Sequence, residues 1–272
     1  MLVTVFNKNT GLYETLPQGH ALVHLRQLPS EGLVDLHGRA VSFREPLKAT
    51  GDELARDIGA SFVLARNKSM SRLEEKAVEN GSDGHDITDF VRGSIMINHW
   101  KQVEELCKRI DPAQNTGVIK VAGNTLVLFK NNFAEPLKNG MRRVMQKYDI
   151  SNDNQDHHIC EIQARVAAMK AAEDLTHRIY TLQRSFTRTA AQLSESDFKL
   201  SQRLNILAQH CHDLIKPIHD LEAMRLGYDV LLETPYDPAT APSPKNPVLK
   251  ILMRDANASA QLMPIFKMHG PN

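Results

Sequence analysis

Residues 86–97 read DITDFVRGSIMI, and the fold turns on whether this is a strand. Ile87, Phe90, Val91, Ile95, Met96 and Ile97 give it the apolar, β-branched character of a buried one. Asp89 at its mouth and Arg92 inside the run do not fit that reading by themselves. An unpaired charge is expensive to bury, so both must be paired, exposed or used on a ligand. Their partners have to come from elsewhere in the chain.

Residues 157–165, HHICEIQAR, alternate as a strand does, with Glu161, Gln163 and Arg165 on one face and Cys160 and Ile162 on the other. One reading is a half-exposed strand on a solvated sheet face. The other pairs Glu161 with Asp89 as two carboxylates on one divalent cation. Mg²⁺ suits that arrangement, because it takes one or two carboxylates and leaves its other positions to water and phosphate oxygens. Lys68, Arg72 and Lys76 recur every four residues in NKSMSRLEEK, which makes one basic stripe on a helix. Lys130 follows the apolar run LVLF and precedes NNFAEPLKNG, after which come Arg142 and Arg143. Each cation alone reads as a solvated surface charge. Together with a carboxylate pair they compose a clamp for polyphosphate.

The remaining chain supplies a scaffold for such a clamp. Residues 1–45 read as short strands and loops, beginning with a hairpin in MLVTVFNKNTGLYETL. Two helical pieces follow within 46–80, divided near Gly59. NHWKQVEELCKRID is a helix opening at Asn98, with Trp100, Val103, Leu106 and Ile110 at helical spacing. Further strands are expected within 117–129 and 141–150. Helical stretches run from Val166 to about Arg188 and again from about 195, where Ser194-Glu195-Ser196-Asp197 resembles a capping box. The expected organisation is an N-terminal extension over 1–45, an α/β (α+β) domain over 46–190 and a helical C-terminal extension over 191–272.

At 272 residues, 42% hydrophobic and 24% charged, the chain has ordinary globular composition. A formal net charge of +1 excludes a global basic field for bulk nucleic-acid binding. Three scattered cysteines form no disulfide framework, and a reducing compartment is expected. No secretory leader or membrane span is read in the sequence. The expectation is therefore a cytoplasmic protein, with delivery into another cell left open. His210-Cys211-His212-Asp213 is a poor zinc site, since adjacent helical residues project about 100° apart. There is no phosphate-loop, Rossmann or nucleophile-elbow motif.

The order NKS…R…EK, D-F-V-R-G-S-I, K-x-x-F-x-x-P-x-x-x-G and E-I-Q resembles the RelA/SpoT-type pyrophosphokinase domain over roughly residues 60–182, in its divergent, single-domain and toxin-like branch. The resemblance implies a nucleotidyltransferase-like mixed sheet flanked by helices. It also implies Mg²⁺-dependent transfer of pyrophosphate from ATP to a nucleotide 3′-hydroxyl. Asp89 matches the metal-binding aspartate, and Glu161 the acidic residue that completes the metal site or assists the attacking hydroxyl; Gln163 belongs to the same motif. Lys68, Arg72 and Lys76 match the basic helix on the ATP phosphates, with Arg92 beside them. Lys130, Pro136, Asn139 and Gly140 match the acceptor loop, Arg142 and Arg143 follow it, and His177 and Tyr180 match a helix that closes the motif. Where the family carries an acceptor-stacking Tyr, this chain has Met141, which lacks a flat face. The hydrolase signature of the long enzymes has no counterpart upstream of residue 60.

Implied partners are ATP and a nucleotide acceptor, with tRNA and an antitoxin or other protein partner also open. Two further readings stand beside the synthetase: a toxin acting on an RNA 3′ end, and a catalytically degenerate module that binds nucleotide or protein.

Overall fold

The computed structural model describes residues 2–17, 25–27, 32–80, 82–133, 137, 141–167, 202 and 206. The chain divides into two compact units: Met1–Phe133 with Arg143–Arg165, and Ala134–Arg142 with Val166–Asn272. The first is mixed α/β. Its strands are β1 (Leu2–Asn7), β2 (Leu12–Pro17), β3 (Ser61–Leu64), β4 (Arg92–Ile97), β5 (Lys120–Val121), β6 (Asn124–Asn131), β7 (Arg143–Ser151) and β8 (His157–Val166). Its helices are α1 (Leu33–Ala40), α2 (Arg44–Asp57), α3 (Met70–Asn80) and α4 (Trp100–Ile110), with a 3-10 turn over Val41–Phe43. The strands form one eight-stranded sheet in the order β2-β1-β6-β7-β8-β4-β3, with β5 paired to β6. The helical stretches expected from Val166 and from about 195 lie outside the described residues, apart from Val166 at the end of β8, Ala167 after it, and isolated helical positions at Gln202 and Ile206.

The β7–β8 ladder is antiparallel and opposes Lys147 to Glu161, Met145 to Gln163 and Arg143 to Arg165. On β6, Leu128 faces Lys147 and Lys130 faces Met145. Period two then gives two unlike faces. One carries Val5, Leu128, Lys147 and Glu161 in a single row across four strands. The other carries Tyr148, Ile150, His158, Cys160 and Ile162, all buried.

The N-terminal hairpin belongs to this sheet. Val3 and Val5 of β1 are buried with Leu25, Val127, Leu128 and Ile159 in one apolar cluster, the burial that fixes strand register. At the other edge, Phe62 of β3 fills space left by two glycines. A Cβ added at Gly93 would lie 2.0 Å from Phe62 Cζ, and one at Gly51 of α2 would lie 2.4 Å from its Cε2. This close approach explains a glycine between Arg92 and Ser94 inside the strand.

Several elements depart from the sequence reading. Helix α1 and strand β3 are additional. The second helical piece expected within 46–80 begins only at Met70, which leaves Lys68 in the preceding segment. Strand 87–97 begins only at Arg92, because the backbone before it is engaged elsewhere. The Ile87 carbonyl accepts from Gln27 Nε2 at 3.1 Å, the Asp89 carbonyl from Lys68 Nζ at 3.1 Å, and the Val91 carbonyl from the Glu161 amide at 3.1 Å. Helix α4 is capped at His99, where the Gln102 side chain accepts from the His99 amide at 3.1 Å.

Candidate active site

Three segments of the first unit converge beside the Glu161 face of β8: residues 65–69 leading into α3, residues 87–92 leading into β4, and β7. Gln27 locates the second of them. Its amide nitrogen donates to the carbonyls of Ile87 and Ile159, at 3.1 and 3.0 Å, and its oxygen accepts from the Ile159 amide at 2.9 Å. This buried side chain ties the approach to Asp89 directly onto β8, with good hydrogen-bond geometry at every contact.

Asp89 is held by two ammonium groups. Lys76, on α3, reaches Oδ1 at 2.7 Å, and Lys68 pairs with Oδ2. Burial by itself pushes the Asp89 carboxyl up, but Lys68 and Lys76 outweigh it and hold the group well below the usual carboxylate range. Asp89 is therefore anionic. Burial also brings the Lys68 ammonium down to about 8, against the opposing pull of Asp89 and with the repulsion of Lys76 and Arg92.

Glu161 is buried and has its own retinue. Gln163 donates to Oε1, and Gln163 Oε1 in turn accepts from Arg143 Nη1 at 2.9 Å. Lys147 Nζ lies 4.0 Å from Glu161 Oε2 and donates to the Thr88 hydroxyl. Burial pushes the Lys147 ammonium down; Glu161 and then Asp89 oppose that shift, while Lys76 and Arg143 add to it. Lys130 is lowered by burial and by its neighbours Arg143 and Lys147. Burial also lowers Arg143, with Glu161 opposing.

The cluster thus gathers Lys68, Lys76, Arg92, Lys130, Arg143 and Lys147 around Asp89 and Glu161. Among the described residues this setting is predominantly cationic, which suits a polyanionic ligand. The donor chemistry also fits a hard divalent cation: two carboxylates on adjacent segments, with the Thr88 hydroxyl beside them. A cation already stands between those segments in the form of the Lys147 ammonium. Among the described residues no group of three or more His, Cys, Asp or Glu side chains is placed to hold a metal, so phosphate and water oxygens would have to complete such a shell.

The other candidate residues are distributed as follows. Arg72 of α3 bonds Glu75 at 2.8 Å and stands one turn from Lys76. Met141 and Arg142 fall in the second unit. Asn139, Gly140, His177 and Tyr180 lie outside the described residues, as does Pro136. Sequence reasoning missed Gln27, Thr88 and Lys147. Lys147 had a legible signal, since Arg143, Met145 and Lys147 alternate along β7 opposite Arg165, Gln163 and Glu161. Gln27 had none, because its role depends on contacts across more than a hundred residues.

No helix among the described residues is long and apolar enough to cross a membrane. No protein-family model and no curated protein matches the sequence. Among solved structures, the chain is similar to the small alarmone synthetase 1 of Bacillus subtilis bound to its product pppGpp, at 19% identity over 61% of this chain and 76% of that one, with a TM-score of 0.38. It is also similar to the type VI effector Tas1, solved in complex with its immunity protein, at 15% identity over 70% of this chain and 99% of that one, with a TM-score of 0.42.

Proposed function

We propose that this chain is an ATP-dependent pyrophosphokinase that transfers pyrophosphate to the 3′-hydroxyl of a nucleotide, a (p)ppGpp- or (p)ppApp-type synthetase without hydrolase activity. The observation that carries the proposal is the convergence of Lys68, Lys76 and Lys147 on Asp89, Thr88 and Glu161 from three segments distant in sequence. The motif order described above supports the same reading.

In this reaction the acceptor 3′-oxygen attacks the β-phosphorus of ATP in line. The new bond forms between that oxygen and phosphorus as the hydroxyl proton passes to Glu161 or to water, the bond from the β-phosphorus to the α,β-bridging oxygen breaks, and AMP departs with that oxygen. Lys68, Lys76, Arg72 and Arg92 bind the donor phosphates and spread the charge that develops on them. Asp89 and Glu161 are the residues that would hold Mg²⁺, which supplies Lewis-acid neutralisation of the phosphoryl oxygens. Gln163 orients Glu161, and Arg143 orients Gln163. Lys130, Asn139, Gly140, Met141, Arg142, Arg143, His177 and Tyr180 are assigned to the acceptor side.

Met141 in the stacking position favours a second reading, in which the acceptor is an RNA 3′ end or the domain binds without catalysis. Incubation with γ-labelled ATP, Mg²⁺ and a panel of GDP, GTP, AMP, ATP and tRNA tests all three. Label on a mononucleotide supports the synthetase, and label on tRNA supports the toxin. No label with intact ATP binding leaves the non-catalytic module.

A further inference from the structure

We propose that Lys147 holds the metal position of this site while nucleotide is absent, so that a divalent cation enters only together with a polyphosphate. The inference rests on the donor-site reading above and adds a role for a residue outside its motifs. Lys147 is buried, as are Thr88 and Glu161, at 6%, 2% and 6% exposure. Its ammonium bonds the hydroxyl of Thr88, the residue before Asp89, and faces Glu161 Oε2 at 4.0 Å, with Asp89 near enough to act on its charge.

A buried ammonium is an expensive way to fill a sheet position. Taking it out of water carries a desolvation penalty, and an apolar side chain of similar volume is often as good for stability. Its neighbours on the same face show the apolar alternative, since Leu128 and Val5 continue the row that Lys147 and Glu161 begin. The charge at this position therefore calls for a role beyond packing.

Electrostatics supplies one. A bare divalent cation approaching the two carboxylates meets three ammonium groups already on them: Lys68 and Lys76 at Asp89, and Lys147 at Glu161. In a site withdrawn from bulk water that repulsion is weakly screened. A polyphosphate reverses the balance. Its oxygens give the ammonium groups new anionic partners and free carboxylate oxygens for the ion that accompanies it. Lys147 has the flexible four-carbon stem needed to turn from Thr88 toward a phosphate oxygen.

The test uses Mn²⁺ as probe and water-proton relaxation enhancement as readout, which separates ion on the protein from ion on free nucleotide. The full chain without nucleotide should bind Mn²⁺ weakly, and adding a non-hydrolysable ATP analogue should create the bound signal. Lys147→Met should tighten nucleotide-free Mn²⁺ binding by roughly tenfold or more, the scale expected when a unit charge leaves a part-buried site. Adding Glu161→Gln to that variant should remove the gain. Equal Mn²⁺ affinity of the wild-type chain with and without the analogue overturns the inference and needs no variant. A folded Lys147→Met chain with unchanged Mn²⁺ affinity overturns it as well. Label transfer is read separately. Transfer alongside nucleotide-independent metal binding defeats this inference alone, and the predicted metal pattern without any transfer defeats the enzymatic reading alone.

Discussion

Lys147 and Asp149 stand two residues apart on one face of β7 yet anchor clusters of opposite character. Asp149 accepts from Lys8 Nζ at 2.8 Å and lies 3.1 Å from His157 Nδ1, and both partners are well exposed. Asp89 also has two basic partners, but Lys68 is only 9% exposed and Lys76 26%. The two carboxylates are themselves about equally exposed, at 14% and 15%. Burial of the partners distinguishes them, together with Lys147 of β7 as a further cation beside Asp89. Exposed pairs are satisfied by water almost as well as by each other. Buried ones depend on every member being present.

The largest expected effect follows directly. Asp89→Asn removes the anion between Lys68 and Lys76 and should cost about 3–5 kcal/mol of stability, the scale for an orphaned buried charge. Asp149→Asn should cost only about 0–1 kcal/mol. Urea denaturation of both variants at neutral pH measures the difference. Equal midpoints would show that the Asp89 cluster is as solvated as the Asp149 cluster and is no buried polyphosphate site.

Two adjacent histidines sharpen the contrast. His157 is exposed beside Asp149, whereas His158 points to the opposite face, stacked 5.1 Å from Phe43 and edge-on at 5.6 Å to Phe90. Burial, and then Arg39, push the His158 imidazole down to about 4. Between that value and the ordinary value near 6.5, the unfolded chain binds a proton that the folded chain refuses, so stability must fall as pH falls through this window. The shift corresponds to about 3 kcal/mol lost by pH 4. The stability–pH slope over that range should flatten in His158→Gln, whatever that substitution does to stability at pH 7. An unchanged slope would mean that His158 is protonated in the folded state.

Packing at the sheet edge comes next in size. Gly93→Ala places a methyl group where Phe62 already lies, and overpacking of this kind costs roughly 1–3 kcal/mol. Because Gly93 follows Arg92, the variant should also reduce label transfer if Arg92 serves the donor. A wild-type melting temperature in Gly93→Ala would show that Phe62 can rotate away freely.

What was legible in the sequence follows the same division between local and distant causes. Alternation along HHICEIQAR gave β8 and its two faces, since register on a half-buried strand is a local pattern. Helical spacing gave α4 for the same reason, and helical tendency gave most of α2. The 87–91 segment misled because its apolar residues are buried without joining the ladder before Arg92. Gln27, Lys68 and Glu161 take up its backbone groups, and none of them is near it in sequence. Helix α1 was hidden by Gly38, a poor helix former placed between the buried Leu36 and Ala40. The carboxylates of the candidate site could be named from motif order. That Lys68 and Lys76 would both spend their charge on Asp89 could not, because ion-pair choice is a three-dimensional outcome.

Arg72 gives the smallest expected change in stability and the most direct check on the donor side. It lies one turn before Lys76, so both side chains leave the same stripe of α3. Lys76 is committed to Asp89, whereas Arg72 bonds Glu75 at 2.8 Å with both partners partly exposed. A helical pair three residues apart contributes only about 0.2–0.5 kcal/mol. Arg72→Ala should therefore leave the denaturation midpoint nearly where it was. If Arg72 binds donor phosphate, the same substitution should weaken ATP binding by roughly tenfold, the loss expected when one charge-assisted hydrogen bond worth about 1.5 kcal/mol disappears. Calorimetric titration with a non-hydrolysable ATP analogue, run beside the denaturation curves, separates the two roles. Unchanged affinity with a midpoint shifted as far as in Asp89→Asn would make Arg72 part of the fold's own ion-pair network and leave the donor phosphates to Lys68, Lys76 and Arg92.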